Sequence, residues 1–380
     1  MENFRRNPMY RYLLLLTVAG AIGLQGWRNL FNNFAVDQVG IDGFQVGIIQ
    51  SVREIPGFLA LLVAFLLLIV RPARLAALAI LVLGLGVAAA GRFPSFPGLI
   101  FTTFLMSLGF HYLETVNQTI VLCHFSHDDA PHVMGRLRSW LGVANIGVGA
   151  VIYGLTFLFS LSGCFLAVGG VVILAALLAL IADPGHENPH PQTRRVRFRR
   201  RYLLYYLLSF LAGARRQIFV CFAVFLLVKH YGFGVREIAA LFVINNLLTY
   251  FLNPLIARGI ARWGERRMLT VEYSALTLIF LGYGLLPFPA VAAAFYVLDH
   301  VFFGFTIGLN TYLQKVADPA EITSAVAAGF TVNHVSAVVI PVIGGGLWLL
   351  DWRLPFWGGA VLAALSLFAV QRIRLPRRSA

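Results

Sequence analysis

Twelve long apolar segments occupy most of this chain of 380 residues, and they restrict its fold more than any other feature. Each is about 20 residues long, which is the length that an α-helix needs to cross a hydrocarbon core of about 30 Å. We predict a helix for each, because lipid offers backbone groups no hydrogen-bond partners and a helix pairs them internally. The predicted spans are residues 12–34, 44–70, 75–91, 98–122, 140–160, 164–182, 203–228, 236–257, 268–287, 290–315, 324–350 and 354–371.

The composition excludes whole classes of protein. Hydrophobic residues make up 59% of the chain and charged residues 12%, and the mean hydropathy is +0.79. A soluble domain carries about 25% charged residues, so a soluble enzyme is excluded. Disorder is excluded too, because it requires low hydrophobicity and high charge.

The basic residues predict the orientation of the chain in the membrane. The net charge is +14, and the basic residues lie between the apolar segments. This distribution indicates a cytoplasmic membrane face and not nucleic-acid binding. With a cytoplasmic N-terminus, 22 Lys and Arg residues fall on the inner side and four on the outer side. The positive-inside rule therefore predicts cytoplasmic N- and C-termini, and the short loops and many arginines favour a bacterial inner membrane.

A polar stretch and an internal repeat divide the chain into two halves. Residues 183–202 form a basic, proline-containing linker between predicted bundles at 1–182 and 203–380. The linker either binds anionic lipid headgroups or is a solvated connection that orients the bundles. Arg28-Asn29-Leu30-Phe31 recurs as Arg216-Gln217-Ile218-Phe219 at an offset of 188 residues (216 − 28), close to half the chain. Parallel six-helix repeats of this kind occur in one class of transporters.

With twelve spans, this repeat and a basic central loop, the chain resembles the major facilitator superfamily over its whole length. The family's loop signature, G-x-L-x-D-R-x-G-R-R, has a degenerate copy in the second half, where Arg262, Gly264 and Arg266 match it. The resemblance implies an all-α polytopic membrane protein with 12 transmembrane helices, in two six-helix bundles related by a parallel pseudo-repeat. It also implies secondary transport by alternating access, no catalytic activity and no cofactor.

Polar residues inside the apolar segments are the candidates for function, because an ionisable group at the centre of a membrane helix is costly. Several lie on one helix face at spacings of three and four residues, and we expect them to line a shared cavity. Arginine binds carboxylate or phosphate through two parallel hydrogen bonds, so we predict a small organic solute with an anionic group. The predicted substrate-binding residues are Gln25, Arg28, Asn29, Asn32, Arg53, Arg216, Asn310 and Asn333.

Four other residues are predicted to couple transport to protons, namely Glu54, Glu114, Asp299 and His111. Each could instead have a structural role. Arg53 and Glu54 could form ion pairs with Glu114 or Arg28, and His111 could be a satisfied interior hydrogen-bonding group.

The leading hypothesis is a monomeric, proton-coupled transporter whose partners are a small solute, protons and membrane lipids. A lipid or lysolipid flippase on the same fold is the alternative, and an apolar opening towards lipid would favour it. A membrane-embedded enzyme would need a metal-binding or nucleophile motif, and a primary pump would need a phosphate-binding loop. Neither is evident in the sequence.

Overall fold

A computed structural model describes residues 7–59, 62–125, 129–182, 184, 199–318 and 321–374. Nearly all of these residues are helical, and no β-strand occurs among them. The α-helices are α1 (Pro8–Phe34), α2 (Gly43–Leu59), α3 (Val63–Leu66), α4 (Pro72–Ala90), α5 (Phe96–His124), α6 (Asp129–Leu155), α7 (Leu161–Ile181), α8 (Leu203–Ile218), α9 (Val224–Lys229), α10 (Val235–Trp263), α11 (Glu265–Leu285), α12 (Pro289–Phe303), α13 (Ile307–Val316), α14 (Ile322–Leu350) and α15 (Leu354–Val370).

Three pairs of these helices each correspond to one predicted span. A π-helical turn at Phe219–Ala223 joins α8 to α9, a 3₁₀ turn at Gly304–Thr306 joins α12 to α13, and α2 and α3 flank residues 60–61. In the part of the chain that is described, this leaves twelve helical segments, one for each predicted span. The all-helical fold class is therefore confirmed. Of the predicted linker, residue 183 and residues 185–198 lie outside the described residues.

Eight of the described segments are long and apolar enough, by length and composition, to cross a membrane. Among the others, α2 and α15 have 17 residues each. The polar residues of α1, the adjacent charges of α2 and the arginines of α6 reduce the hydropathy of those three helices. Two of these four segments, those of α1 and α2, contain predicted substrate-binding or coupling residues, as expected when polar side chains face the protein interior.

Two helix ends differ from the prediction by more than five residues. α6 begins at Asp129, eleven residues before the predicted start (140 − 129), and α10 ends at Trp263, six residues after the predicted end (263 − 257). Both extensions contain arginines, which ended the apolar runs in the sequence. Hydropathy locates the part of a helix that lies in hydrocarbon, whereas a helix with good propensity continues beyond it into polar surroundings.

The first helix of each half contains a π-helical turn. α1 continues into a turn at Ala35–Val39 that Gly40 caps at a φ of 73°. α8 continues into the turn at Phe219–Ala223, and after α9 a second left-handed glycine, Gly232, has a φ of 71°. The same irregularity in both halves agrees with the sequence repeat, and π turns are frequent at functional sites.

The described residues belong to two compact units. Each combines most of one half of the chain with a short segment of the other half. The first unit is drawn from Met1–Ile41, Val52–Gln192 and Gly234–Asn246, and the second from Asp42–Ser51, Thr193–Phe233 and Leu247–Ala380.

Glycines on α4, α5 and α7 allow the closest helix packing in the first unit. A Cβ atom on Gly86 or Gly109 would overlap the facing backbone of the α4–α5 pair, and one on Gly169 would overlap Ala88 of α4. The glycines of α6 differ from one another in this respect. Gly149 contacts another helix, whereas no described atom lies within 4 Å of a Cβ placed on Gly142, Gly147 or Gly154.

Candidate functional site

The polar stripe of α1 is largely buried within the first unit. Gln25, Asn29 and Asn32 are 4%, 0% and 6% exposed, and Arg28 is half-buried. The amide group of Asn29 donates a hydrogen bond to the backbone carbonyl of Gln25 at 2.7 Å. The side-chain oxygens of Asn29 and Asn32 have no hydrogen-bond partner among the described residues. Buried polar groups are normally satisfied, so this stripe has hydrogen-bonding capacity for a ligand or water.

Arg53 and Glu54 pair with each other. The Nη2 atom of Arg53 lies 2.7 Å from Oε1 of Glu54, and Arg53 is 6% exposed. The guanidinium carbon lies 6.0 Å from the ring centroid of Trp27, and Ser107 donates a hydrogen bond to the backbone carbonyl of Arg53. The ion pair that the sequence left open is therefore formed between neighbours on α2, and the charge of Arg53 is compensated locally.

Glu114 lines a partly polar pocket of about 230 Å³ between α1, α5 and α6. Asn117 and Gln118 from α5 and Arg138 from α6 line it as well, so both signs of charge meet one cavity. His111, one turn before Glu114, is half-buried, and its backbone carbonyl accepts a hydrogen bond from Thr115. A pocket with a carboxylate, a guanidinium and two amides can hold a small polar or zwitterionic group.

The second unit contains a buried cluster of three charged groups. Nη2 of Arg215 on α8 lies 2.9 Å from Oε1 of Glu272 on α11, and the two residues are 5% and 2% exposed. Asp299 on α12 is 6% exposed and interacts electrostatically with both of them. Within the described residues, Nη1 of Arg215, Oε2 of Glu272 and Oδ2 of Asp299 have no hydrogen-bond partner. One cation thus faces two carboxylates in a space shielded from solvent.

The sequence analysis identified Asp299 but missed Glu272. Glu272 lies within the predicted span 268–287, but it is not among the predicted site residues. The informative signal was the depth of Glu272 on α11, about 10 Å along the axis from Glu265 at 1.5 Å per residue. Arg215 lies within the predicted span 203–228 and is likewise not among the predicted site residues.

The remaining predicted substrate residues of the second unit lie in different surroundings. Arg216 is exposed, and its guanidinium carbon lies 4.8 Å from the ring centroid of Phe303. Asn310 is exposed on α13. Asn333 on α14 is half-buried and donates a hydrogen bond to the backbone carbonyl of Ser209 at 3.3 Å. The expected cavity, which would join residues of both units, stays a prediction.

The loop signature forms the turn between α10 and α11. Gly264 alone separates these helices, with φ and ψ angles of 83° and 159°, a region that is essentially restricted to glycine. The guanidinium of Arg266 donates hydrogen bonds to Oε1 of Gln371 at 3.1 and 3.3 Å. The guanidinium carbon of Arg262 lies 5.9 Å from the ring centroid of Trp263. The signature therefore produces a one-residue turn with arginines on both sides.

We expect Gly264→Ala to lower the free energy of unfolding by about 1–3 kcal/mol, because alanine is strained at these angles. Thermal unfolding of the purified protein in detergent would measure the change. Gly358→Ala on α15 is the matched control, because a Cβ there meets open space and the backbone is helical. A Gly264→Ala protein as stable as the control would contradict the conformational role of this glycine.

An apolar groove of about 570 Å³ lies on another face of the first unit. It is bordered by α1, α6 and α7, and every residue that lines it is apolar. Trp140 lies at the N-terminal end of the α6 stretch that borders the groove, and Leu155 lies at the other end. An apolar opening of this kind favours the alternative of a lipid or lysolipid flippase on the same fold.

The family model of the Major Facilitator Superfamily matches residues 13–341. The chain is similar to the solved structure of the nucleoside transporter NupG, with 16% identity, a TM-score of 0.76 and coverage of 97% of this chain and 99% of that one. A bacterial homologue of the human lysosomal transporter Spinster has 15% identity, a TM-score of 0.76 and 98% coverage of both chains.

A D-xylose-proton symporter is also similar, with 12% identity, a TM-score of 0.68 and 98% coverage of both chains. No curated protein matches the sequence. At these identities the solved structures carry information about the fold alone, since one fold hosts many functions.

Proposed function

The chain belongs to the Major Facilitator Superfamily, and we propose that it is a proton-coupled secondary transporter that moves a small organic anion by alternating access. It is a multi-pass membrane protein, and we place it in the inner membrane with both termini in the cytoplasm. Transporters are prominent among the structures it resembles, and one of them is a proton symporter. The substrate class and the coupling ion are our inference from the residues of this chain.

The buried cluster of Arg215, Glu272 and Asp299 is the observation that carries the proposal of proton coupling. One guanidinium neutralises one of the two carboxylates, so a proton on the other leaves the cluster without net charge. Uncompensated charge is expensive in such a buried position. Opening the cluster to water would reverse this preference, which gives the group a way to take up and release a proton as the protein changes conformation.

We assign the anionic group of the substrate to Arg28 and Arg216, which are equivalent in the sequence repeat. The buried amides of Gln25, Asn29 and Asn32 share the helix face of Arg28 and provide further hydrogen bonds.

Arg53 joins this site in our proposal when protonation of Glu54 releases its guanidinium from the ion pair. Binding and protonation would then be linked within the first unit as well.

Transport by the purified protein in proteoliposomes tests the function. A screen for thermal stabilisation by organic anions identifies the solute, because a ligand that binds the folded state stabilises it. Uptake of that solute is then measured with and without an imposed pH gradient. We expect accumulation to follow the gradient and to collapse when a protonophore is added. Accumulation that ignores the gradient would contradict proton coupling.

Arg28→Ala and Arg216→Ala are each expected to weaken binding of the identified solute by about tenfold or more, because each removes charged hydrogen bonds to the anion. The shift in thermal stability as a function of solute concentration measures the affinity. Arg92→Ala is the control, since Arg92 is exposed near the start of α5. Normal affinity in both variants would contradict the assignment of the anion site.

Lipid or lysolipid transport is the second candidate function, and the apolar groove is the observation that favours it. Vesicles that contain the protein and a fluorescent lysophospholipid would show whether the lipid crosses the bilayer. Transfer that requires the protein would support this function, and transfer at the rate of protein-free vesicles would exclude it.

A further inference from the structure

The described residues that line the groove are all apolar, and several of their side chains are exposed. Trp140, Val143 and Val151 on α6 are 46%, 57% and 59% exposed. Val18 and Ile22 on α1 form the opposite border. In a membrane-spanning unit, apolar surface of this kind faces hydrocarbon.

The same face of α6 carries a cation one turn below the groove. Arg136, Trp140, Val143, Gly147 and Val151 are separated by four, three, four and four residues, so their side chains lie along one face of the helix. Arg136 is exposed and lies about 6 Å from Trp140 along the axis. The charge distribution of the chain places this end of α6 at the cytoplasmic surface, where tryptophan and arginine meet lipid headgroups.

We propose that the groove binds one acyl chain of a membrane phospholipid whose phosphate group contacts Arg136. From Trp140 to Leu155 the groove extends about 22 Å along α6. An acyl chain spans one leaflet, which is about half of a 30 Å core, so the groove is long enough for one chain. Arginine complements the phosphate in charge and geometry.

Gly147 gives the groove its depth. This residue lines the groove and is exposed. A Cβ atom added to it would have no described atom within 4 Å. A larger side chain at this position would therefore occupy the space proposed for the acyl chain without pushing aside neighbouring protein atoms. The bound lipid is independent of the transported solute, because its site is on the lipid-facing side of α6.

Native mass spectrometry of the delipidated protein, titrated with dioleoylphosphatidylglycerol, tests the site. We expect one lipid to bind per chain with saturation. Gly147→Leu is expected to weaken binding by at least about tenfold, because each excluded CH₂ group contributes about fourfold to affinity. Arg136→Gln is expected to weaken it by about fivefold, to the affinity of dioleoylglycerol, which lacks the phosphate. Glycerol 1-phosphate, which lacks the chains, should not bind.

Gly170→Leu on α7 is the matched control, because this glycine is also exposed and free of neighbours but does not line the groove. Ala144→Leu fills the same groove from the next turn and replaces Gly147→Leu if that protein fails to fold. Equal loss of lipid in the Gly170→Leu and groove-filling proteins would overturn the proposal. So would binding of glycerol 1-phosphate as tight as that of the lipid, since the acyl chain would then have no role.

Discussion

Arg215→Met is expected to lower the free energy of unfolding by about 3–5 kcal/mol, the cost of removing one partner from a buried ion pair. The variant leaves the Glu272 carboxylate, which is 2% exposed, without the cation that lies 2.9 Å away. Asp299 loses the same compensating charge. Methionine keeps the length and apolar volume of the arginine stem, so the change isolates the charge. Unfolding of the purified protein in detergent with a chemical denaturant measures it.

Two comparisons make this result specific. Arg353→Met removes an arginine from a solvent-exposed pair with Asp351, at 3.6 Å, and is expected to change stability by less than about 1 kcal/mol. Adding Glu272→Leu to Arg215→Met should recover most of the loss, because a buried pair replaced by apolar residues is often neutral. An Arg215→Met protein as stable as the Arg353→Met protein would show that the cluster is not the buried charge centre described above.

Hydropathy was sufficient to predict the helical segments, because crossing a hydrocarbon core imposes a length and a composition on each of them. It could not predict where α6 begins. The first turns of that helix, with Arg136, continue into polar surroundings where hydropathy no longer distinguishes helix from loop. It could not predict the π turns of α1 and α8 either, since a single inserted residue in a helix leaves its composition unchanged.

The sequence was better at predicting which individual residues belong to the candidate site than at predicting how they are arranged in space. The spacing of Gln25, Arg28 and Asn29 correctly predicted one helix face, because that relation is local to α1. The pairing of Arg215 with Glu272 is not local, since it joins α8 to α11 and depends on how the two helices pack. Glycine shows the same limit, because Gly147 and Gly149 look alike in sequence and only the tertiary structure separates them.

Asp299→Asn is expected to abolish proton-driven accumulation of the solute while leaving solute exchange intact. The asparagine amide has nearly the shape of the carboxylate but does not take up a proton near neutral pH. The ion pair between Arg215 and Glu272 keeps its contact in this variant. With one proton per solute, the wild type should accumulate solute about tenfold per unit of pH gradient, since one pH unit corresponds to about 1.36 kcal/mol. The variant should equilibrate the solute without accumulation. Uptake under a pH gradient measures proton-driven accumulation, and counterflow in the same proteoliposomes measures solute exchange.

Glu321→Gln is the matched control for this experiment. The hydrogen bond from Arg201, with further contributions from Tyr202 and Arg199, holds the pKa of Glu321 below its usual range. Glu321 therefore remains ionised near neutral pH and carries no proton, so its variant should accumulate solute as the wild type does. Tenfold accumulation by the Asp299→Asn protein would rule out Asp299 as the proton carrier. Glu272→Gln would then decide whether the other carboxylate of the cluster has that role, because loss of coupling there with counterflow retained would assign the proton to Glu272.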